Sequence, residues 1–97
     1  MQNKYLIYLK KFIIDFLKDE DVKIILFGSR SRKDHFPSSD VDVGIIPSKR
    51  IDQKKLTLLR EKIENLNIPF KVDIVNFADV SADFKKEARK DAELWRD

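Results

Sequence analysis

Three aspartates stand inside runs that otherwise read as β-strands. Asp40-Val41-Asp42-Val43-Gly44-Ile45-Ile46 alternates with period two, and Phe70-Lys71-Val72-Asp73-Ile74-Val75 does the same. Strands are poor in aspartate, and a buried, unpaired carboxylate costs on the order of several kcal/mol. Three of them in apolar company call for something positive to compensate. Alternation puts Asp40, Asp42 and Gly44 on one face and Val41, Val43 and Ile45 on the other. If the strand holding Asp73 lies beside the strand holding Asp42, the three carboxylates converge. Clustered hard oxygen donors suit Mg²⁺ or Mn²⁺ and not zinc. A plainer reading stays open: Asp-x-Asp is common by chance, Asp40 can belong to a loop, and Asp73 can pair with a lysine.

The rest of the pattern predicts where these strands sit. Tyr5, Leu6, Leu9, Phe12, Ile13, Phe16 and Leu17 recur at three-and-four spacing, which predicts an amphipathic helix over about residues 3–18. Val22–Phe27 is β-branched and aromatic and reads as a nearly fully buried strand. It ends at Gly28-Ser29, where a short helix is expected to start, with Pro37 and its serines read as loop. A second helix is expected over about 52–66, with Leu56, Leu59, Ile63 and Leu66 inward. A last helix is expected over about 82–95, capped by Ser81 and docked by Phe84, Ala88 and Leu94 or Trp95. This order implies a small mixed β-sheet of three to four strands flanked by helices, in the α/β (α+β) class. With 97 residues and no repeat or linker, residues 1–97 read as a single domain.

Composition narrows the chemistry. There is no cysteine and one histidine, so a disulfide scaffold, a thiolate zinc site and a cysteine nucleophile are excluded. Twenty Lys and Arg against seventeen Asp and Glu give a net charge of only +3. That is too little to announce direct nucleic-acid binding. Charges recur throughout the N-terminal stretch, so neither a signal peptide nor a membrane span is expected, and a cytoplasmic setting follows as the expectation.

The segment before the aspartate pair sharpens the picture. A buried strand that ends in Gly28-Ser29 and opens toward a helix N-terminus offers backbone N–H groups to phosphate. Glycine permits close backbone approach, the Ser29 hydroxyl adds a hydrogen bond, and Arg30 and Arg32 add charge. A phosphate cradle facing a divalent-metal site is equipment for phosphoryl or nucleotidyl transfer. Other residues read more simply. His35 and Lys33 are expected in a solvated loop. Trp95 and Tyr5 are weighed as adenine-stacking rings but read better as packing. Lys54-Lys55 and Lys85-Lys86 read as solvated helix faces.

Strand, Gly28-Ser29, ten spacer residues and Asp40-Val41-Asp42 resemble the signature of the polymerase-β-type nucleotidyltransferases. Within them, LFGSRSRKDHFPSSDVDVGI is similar to the minimal nucleotidyltransferase (MNT) group, whose usual form is Gly-Ser-Arg-Ala-Arg-Gly, a variable loop, then Ser-Asp-Ile-Asp-Leu. KVDIVNF and the ending VSADFKKEARKDAELWRD also look like that group. Lys33 stands where glycine is common, and Gly44 where a larger apolar residue is common; its missing side chain is read as leaving room near metal and nucleotide.

The resemblance implies a nucleotidyltransferase fold. It makes Asp40 and Asp42 the metal-binding pair and Asp73 the third carboxylate, all catalytic. Gly28 and Ser29 become nucleotide-phosphate contacts, with Arg30 and Arg32 beside them. It implies two Mg²⁺ ions, with Mn²⁺ as an alternative, and ATP as the substrate. One metal would be held by all three carboxylates and lower the pKa of the acceptor hydroxyl. The other, held by Asp40, Asp42 and phosphates, would neutralise the triphosphate. A chain of this length leaves no room for an acceptor-binding domain, so the acceptor is expected on a partner protein. In the MNT group that partner is a HEPN-type ribonuclease toxin, which the nucleotidyltransferase neutralises as antitoxin by adding AMP to a tyrosine. Two other readings stand beside it: a non-catalytic antitoxin that acts by occlusion, and an enzyme acting on a small molecule, although such relatives generally carry an extra helical domain. Homo-oligomerisation is compatible with all three.

Overall fold

The computed structural model describes residues 4–28 and 41–97. In chain order the elements are α1 (Lys4–Phe16), β1 (Val22–Phe27), β2 (Val41–Pro47), α2 (Gln53–Glu64), β3 (Val72–Asn76), a 3₁₀ turn (Phe77–Asp79), α3 (Ala82–Arg89) and β4 (Glu93–Arg96). The four strands form one mixed sheet in the order β3-β2-β1-β4. β1 runs antiparallel to both β2 and β4, and β2 is parallel to β3. Parallel neighbours need a crossover, and α2 supplies it. No helix among the described residues is long and apolar enough to cross a membrane.

Period-two alternation divides the core between the two faces of the sheet. Val22, Ile24 and Leu26 of β1, Val41, Val43 and Ile45 of β2, and Ile74 of β3 point to one side. There they meet Leu9, Ile13 and Leu17 from the α1 stripe and Leu56, Leu59 and Ile63 from α2. Tyr5, Leu6, Phe12, Phe16 and Leu66 pack at the rim of this layer. The other face carries a smaller cluster of Ile25, Phe27 and Phe77, joined by half-buried Ile46, Val75 and Ala88. Asp42 and Asp73 belong to this second face, so the carboxylates lie opposite the main core.

Local chemistry sets the helix starts. Asp52 Oδ1 accepts a 2.9 Å hydrogen bond from the Lys54 N–H and caps α2. Ser81 Oγ accepts one of 3.1 Å from the Phe84 N–H and caps α3, as its sequence position predicts. Buried Asn76 turns β3 into the 3₁₀ segment, its Oδ1 accepting from the Ala78 N–H at 3.0 Å.

The C-terminal end departs from the expected helix over 82–95. α3 stops at Arg89, and Glu93–Arg96 forms β4 against β1. Four residues are too few to display a strand period, and Glu and Leu favour helices when read locally. Pairing with the otherwise open edge of β1 decides the outcome. Trp95 is therefore a core residue contributed by a strand, not by a helix, and Leu94 faces solvent. Arg96 ties this strand back to the N-terminal helix. Its Nη1 donates to the carbonyls of Leu17 at 3.0 Å and Glu20 at 2.8 Å, in the turn that joins α1 to β1.

Candidate active site

Asp42 is the second residue of β2 and Asp73 the second residue of β3, and the parallel ladder sets them directly side by side. The register is pinned next door, where the Val41 N–H donates to the Lys71 carbonyl at 2.8 Å. Adjacent strands lie about 4.8 Å apart, and residues paired across them share a face. Both side chains are half-buried. On the other side of β2, the last residue of β1 is Phe27, which is the antiparallel partner of Asp42. Gly28 follows at once, with φ +77°. A Cβ built on Gly28 would collide with the Asp42 carboxylate, its Cγ lying 3.2 Å away. One end of the sheet thus holds the carboxylate pair with a bare backbone pressed against it.

The electrostatics of this arrangement favour a cation. Like charges set opposite each other on neighbouring strands repel, by an amount on the order of a kcal/mol or more at this separation in a half-buried setting. Among the described residues, no hydrogen bond or ion pair reaches the Asp73 carboxylate. Two hard-oxygen donors on rigid, parallel strands match what Mg²⁺ or Mn²⁺ takes from a protein, one or two carboxylates with the rest from water and phosphate. No group of three acidic or histidine side chains forms among the described residues. The third carboxylate of the sequence reading, Asp40, lies outside them, as do Ser29, Arg30, Arg32, Lys33 and His35.

Other sequence readings resolve differently. Gly44 leaves no free room beside the carboxylates. Its missing side chain is filled by Phe77, whose Cε1 would lie 2.6 Å from a Cβ there, and by Ile25, whose Cγ1 would lie 2.9 Å away. Gly44 is a packing position, and the signal that hides this is the 3₁₀ turn that swings Phe77 over the sheet. Trp95 is buried in the main core, its Nε1–H donating to Glu93 Oε2 at 3.2 Å. Tyr5 packs at the rim of that core. Neither ring belongs to the carboxylate face.

A groove of about 270 Å³ lies along the outer edge of β3, floored by Ile63, Leu66, Ile68, Phe70 and Val72. These apolar residues belong to the helix-covered side of the sheet, and Asp73 also lines the groove. Arg60 closes the edge above it, donating to the Ile74 carbonyl from Nη2 at 2.9 Å and Nε at 3.3 Å. That contact guards an exposed strand edge against further pairing.

The model of the family described as polymerase beta, nucleotidyltransferase, matches residues 11–95, from within α1 into β4. The chain belongs to this nucleotidyltransferase family. It is similar to a probable protein adenylyltransferase MntA of Haemophilus influenzae, with 31% identity over 70 residues. That match covers 72% of this chain, which spans 61% of the relative's length. The fold matches a crystal structure of a toxin–antitoxin with AMP-PNP at a TM-score of 0.69 and 22% identity, covering 89% of this chain and 71% of the other. It also matches a complex of tri-AMPylated Shewanella oneidensis HEPN toxin with MNT antitoxin, at a TM-score of 0.65 and 21% identity, covering 91% and 69%.

Proposed function

We propose that this chain is a metal-dependent nucleotidyltransferase that moves AMP from ATP to a hydroxyl of a protein partner. The observation that carries the reading is the side-by-side register of Asp42 and Asp73, with the Gly28 backbone against Asp42. Asp42, Asp73 and Asp40 are the residues that would hold Mg²⁺ or Mn²⁺. Bound there, two such ions would lower the pKa of an acceptor hydroxyl and offset triphosphate charge. Gly28 keeps side-chain atoms away from the carboxylates, so phosphate can approach the backbone. Ser29, Arg30 and Arg32 supply a hydroxyl and two guanidinium groups to the phosphates. Asp73 orients the acceptor hydroxyl. The acceptor hydroxyl gives up its proton to solvent, its oxygen bonds to the α-phosphorus as the bond to the bridging oxygen of the β-phosphate breaks, and pyrophosphate leaves.

The similarity to the MntA adenylyltransferase and the fold match to the HEPN–MNT complex support a HEPN-type toxin as the partner and an antitoxin role for this chain. A toxin tyrosine is the proposed acceptor, and the cytoplasm, where ATP and Mg²⁺ are supplied, is the proposed setting. The competing reading is neutralisation by occlusion alone. Co-expression of the toxin partner with wild type and with Asp42→Asn separates the two. AMP on the partner that disappears in the variant supports transfer, and full neutralisation without any AMP overturns it.

A further inference from the structure

We propose that Phe84 is the nucleobase platform of this site, stacking the base of the bound nucleotide. The inference rests on the nucleotidyltransferase reading above and adds where the base lies. Phe84 sits in the first turn of α3, on the same face of the sheet as Asp42 and Asp73. Its ring meets Phe27 edge-on, with centroids 5.9 Å apart and planes at 84°, and meets Phe77 at 5.9 Å and 71°. Phe27 and Phe77 close the triangle at 5.4 Å and 78°. Phe27 is the cross-strand partner of Asp42, so the aromatic cluster starts at the position beside Asp42, on the same face of the sheet.

The three rings are not equivalent. Phe27 and Phe77 are buried, while Phe84 is 41% exposed. Edge-to-face packing on two neighbours holds the Phe84 ring at a fixed tilt. An aromatic ring that is rigid, half-exposed and one ring removed from a metal-binding carboxylate is prepared for a flat apolar ligand. The nucleotide whose phosphates approach Asp42 and Gly28 brings such a group with it. Base–aromatic stacking is worth roughly 1–3 kcal/mol per base on alanine substitution. The two rings that the sequence offers for this task, Trp95 and Tyr5, pack on the opposite side of the sheet.

The test compares MgATP with magnesium tripolyphosphate, which has the phosphates but no base, by calorimetric titration of the full chain. Phe84→Leu keeps apolar bulk against Phe27 and Phe77, and Phe84→Trp keeps a stacking ring. The expected result is about a tenfold loss of MgATP affinity in Phe84→Leu, no change for tripolyphosphate, and near wild-type MgATP affinity in Phe84→Trp. Unchanged MgATP affinity in Phe84→Leu overturns the platform, and so does an equal loss for both ligands, which marks a merely structural role. Wild type that binds both ligands equally well overturns the platform and leaves the phosphate site standing. Wild type that binds neither overturns the nucleotidyltransferase reading together with the platform.

Discussion

Gly28 and Asp42 compete for one volume: the backbone of the first, at φ +77°, lies where any side chain would run into the carboxylate of the second. Two costs therefore meet at Gly28→Ala. A non-glycine residue in the left-handed region costs about 1–3 kcal/mol, and the added methyl displaces Asp42. A melting temperature lowered by roughly 10 °C is expected for a domain of this size, with a loss of magnesium-dependent ATP binding larger than the loss of fold. A differential-scanning melt alongside a titration measures both.

Asp73→Asn separates chemistry from stability in the opposite sense. The carboxylate has a like-charged neighbour in register and no partner among the described residues, so removing its charge relieves repulsion. The melting temperature of the metal-free variant is expected to hold or to rise by a few degrees, while AMP transfer is lost. A residue kept for folding would behave the other way, with a lower melting temperature.

Divalent metal should stabilise wild type through the same pair. Binding to the native state alone adds RT ln(1 + [L]/Kd), about 2.7 kcal/mol when metal is at a hundred times its Kd. Millimolar Mg²⁺ or Mn²⁺ is expected to raise the wild-type melting temperature and to leave Asp42→Asn unmoved. Equal shifts in both proteins would place the ion elsewhere.

Gly44→Ala tests a packing role. The new methyl would crowd Phe77 and Ile25, and overpacking of this kind costs about 1–3 kcal/mol. Trimming the neighbour in Gly44→Ala with Phe77→Leu should recover part of the loss, giving a double-mutant cycle that is not additive. Additive losses would show that Phe77 does not fill the space above Gly44.

Arg96→Ala removes hydrogen bonds from β4 to the Leu17 and Glu20 carbonyls. Hydrogen bonds from a charged donor contribute about 1.5–3 kcal/mol, so a drop of roughly 10 °C in melting temperature is expected. Arg96→Lys should recover little, because an ammonium cannot reproduce the fork.

Much of this was legible in the sequence because periodicity reports burial. The α1 stripe, the alternation around Asp42 and Asp73, and the cap at Ser81 each depend on residues within one or two turns or strands. The pairing of Asp42 with Asp73 needed one further step, a crossover that makes their strands parallel neighbours, and α2 supplies it. What local pattern could not give is long-range. β4 exists because β1 had an open edge for residues seventy positions away to fill. Gly44 is small because Phe77, thirty-three residues later, folds over it. Trp95 lies in the main core because that same strand carries it there, on the side of the sheet opposite Phe84. The readings at Asp40, Ser29, Arg30 and Arg32 rest on sequence, since those residues lie outside the described ones.

The most direct measurement is transfer of the α-phosphate label of ATP to a co-purified HEPN-type partner, with Mg²⁺ present, by wild type and by Asp73→Asn. The account predicts label on the partner with wild type, none with Asp73→Asn although that protein is folded, and none for wild type in EDTA. Equal labelling by wild type and Asp73→Asn would contradict it.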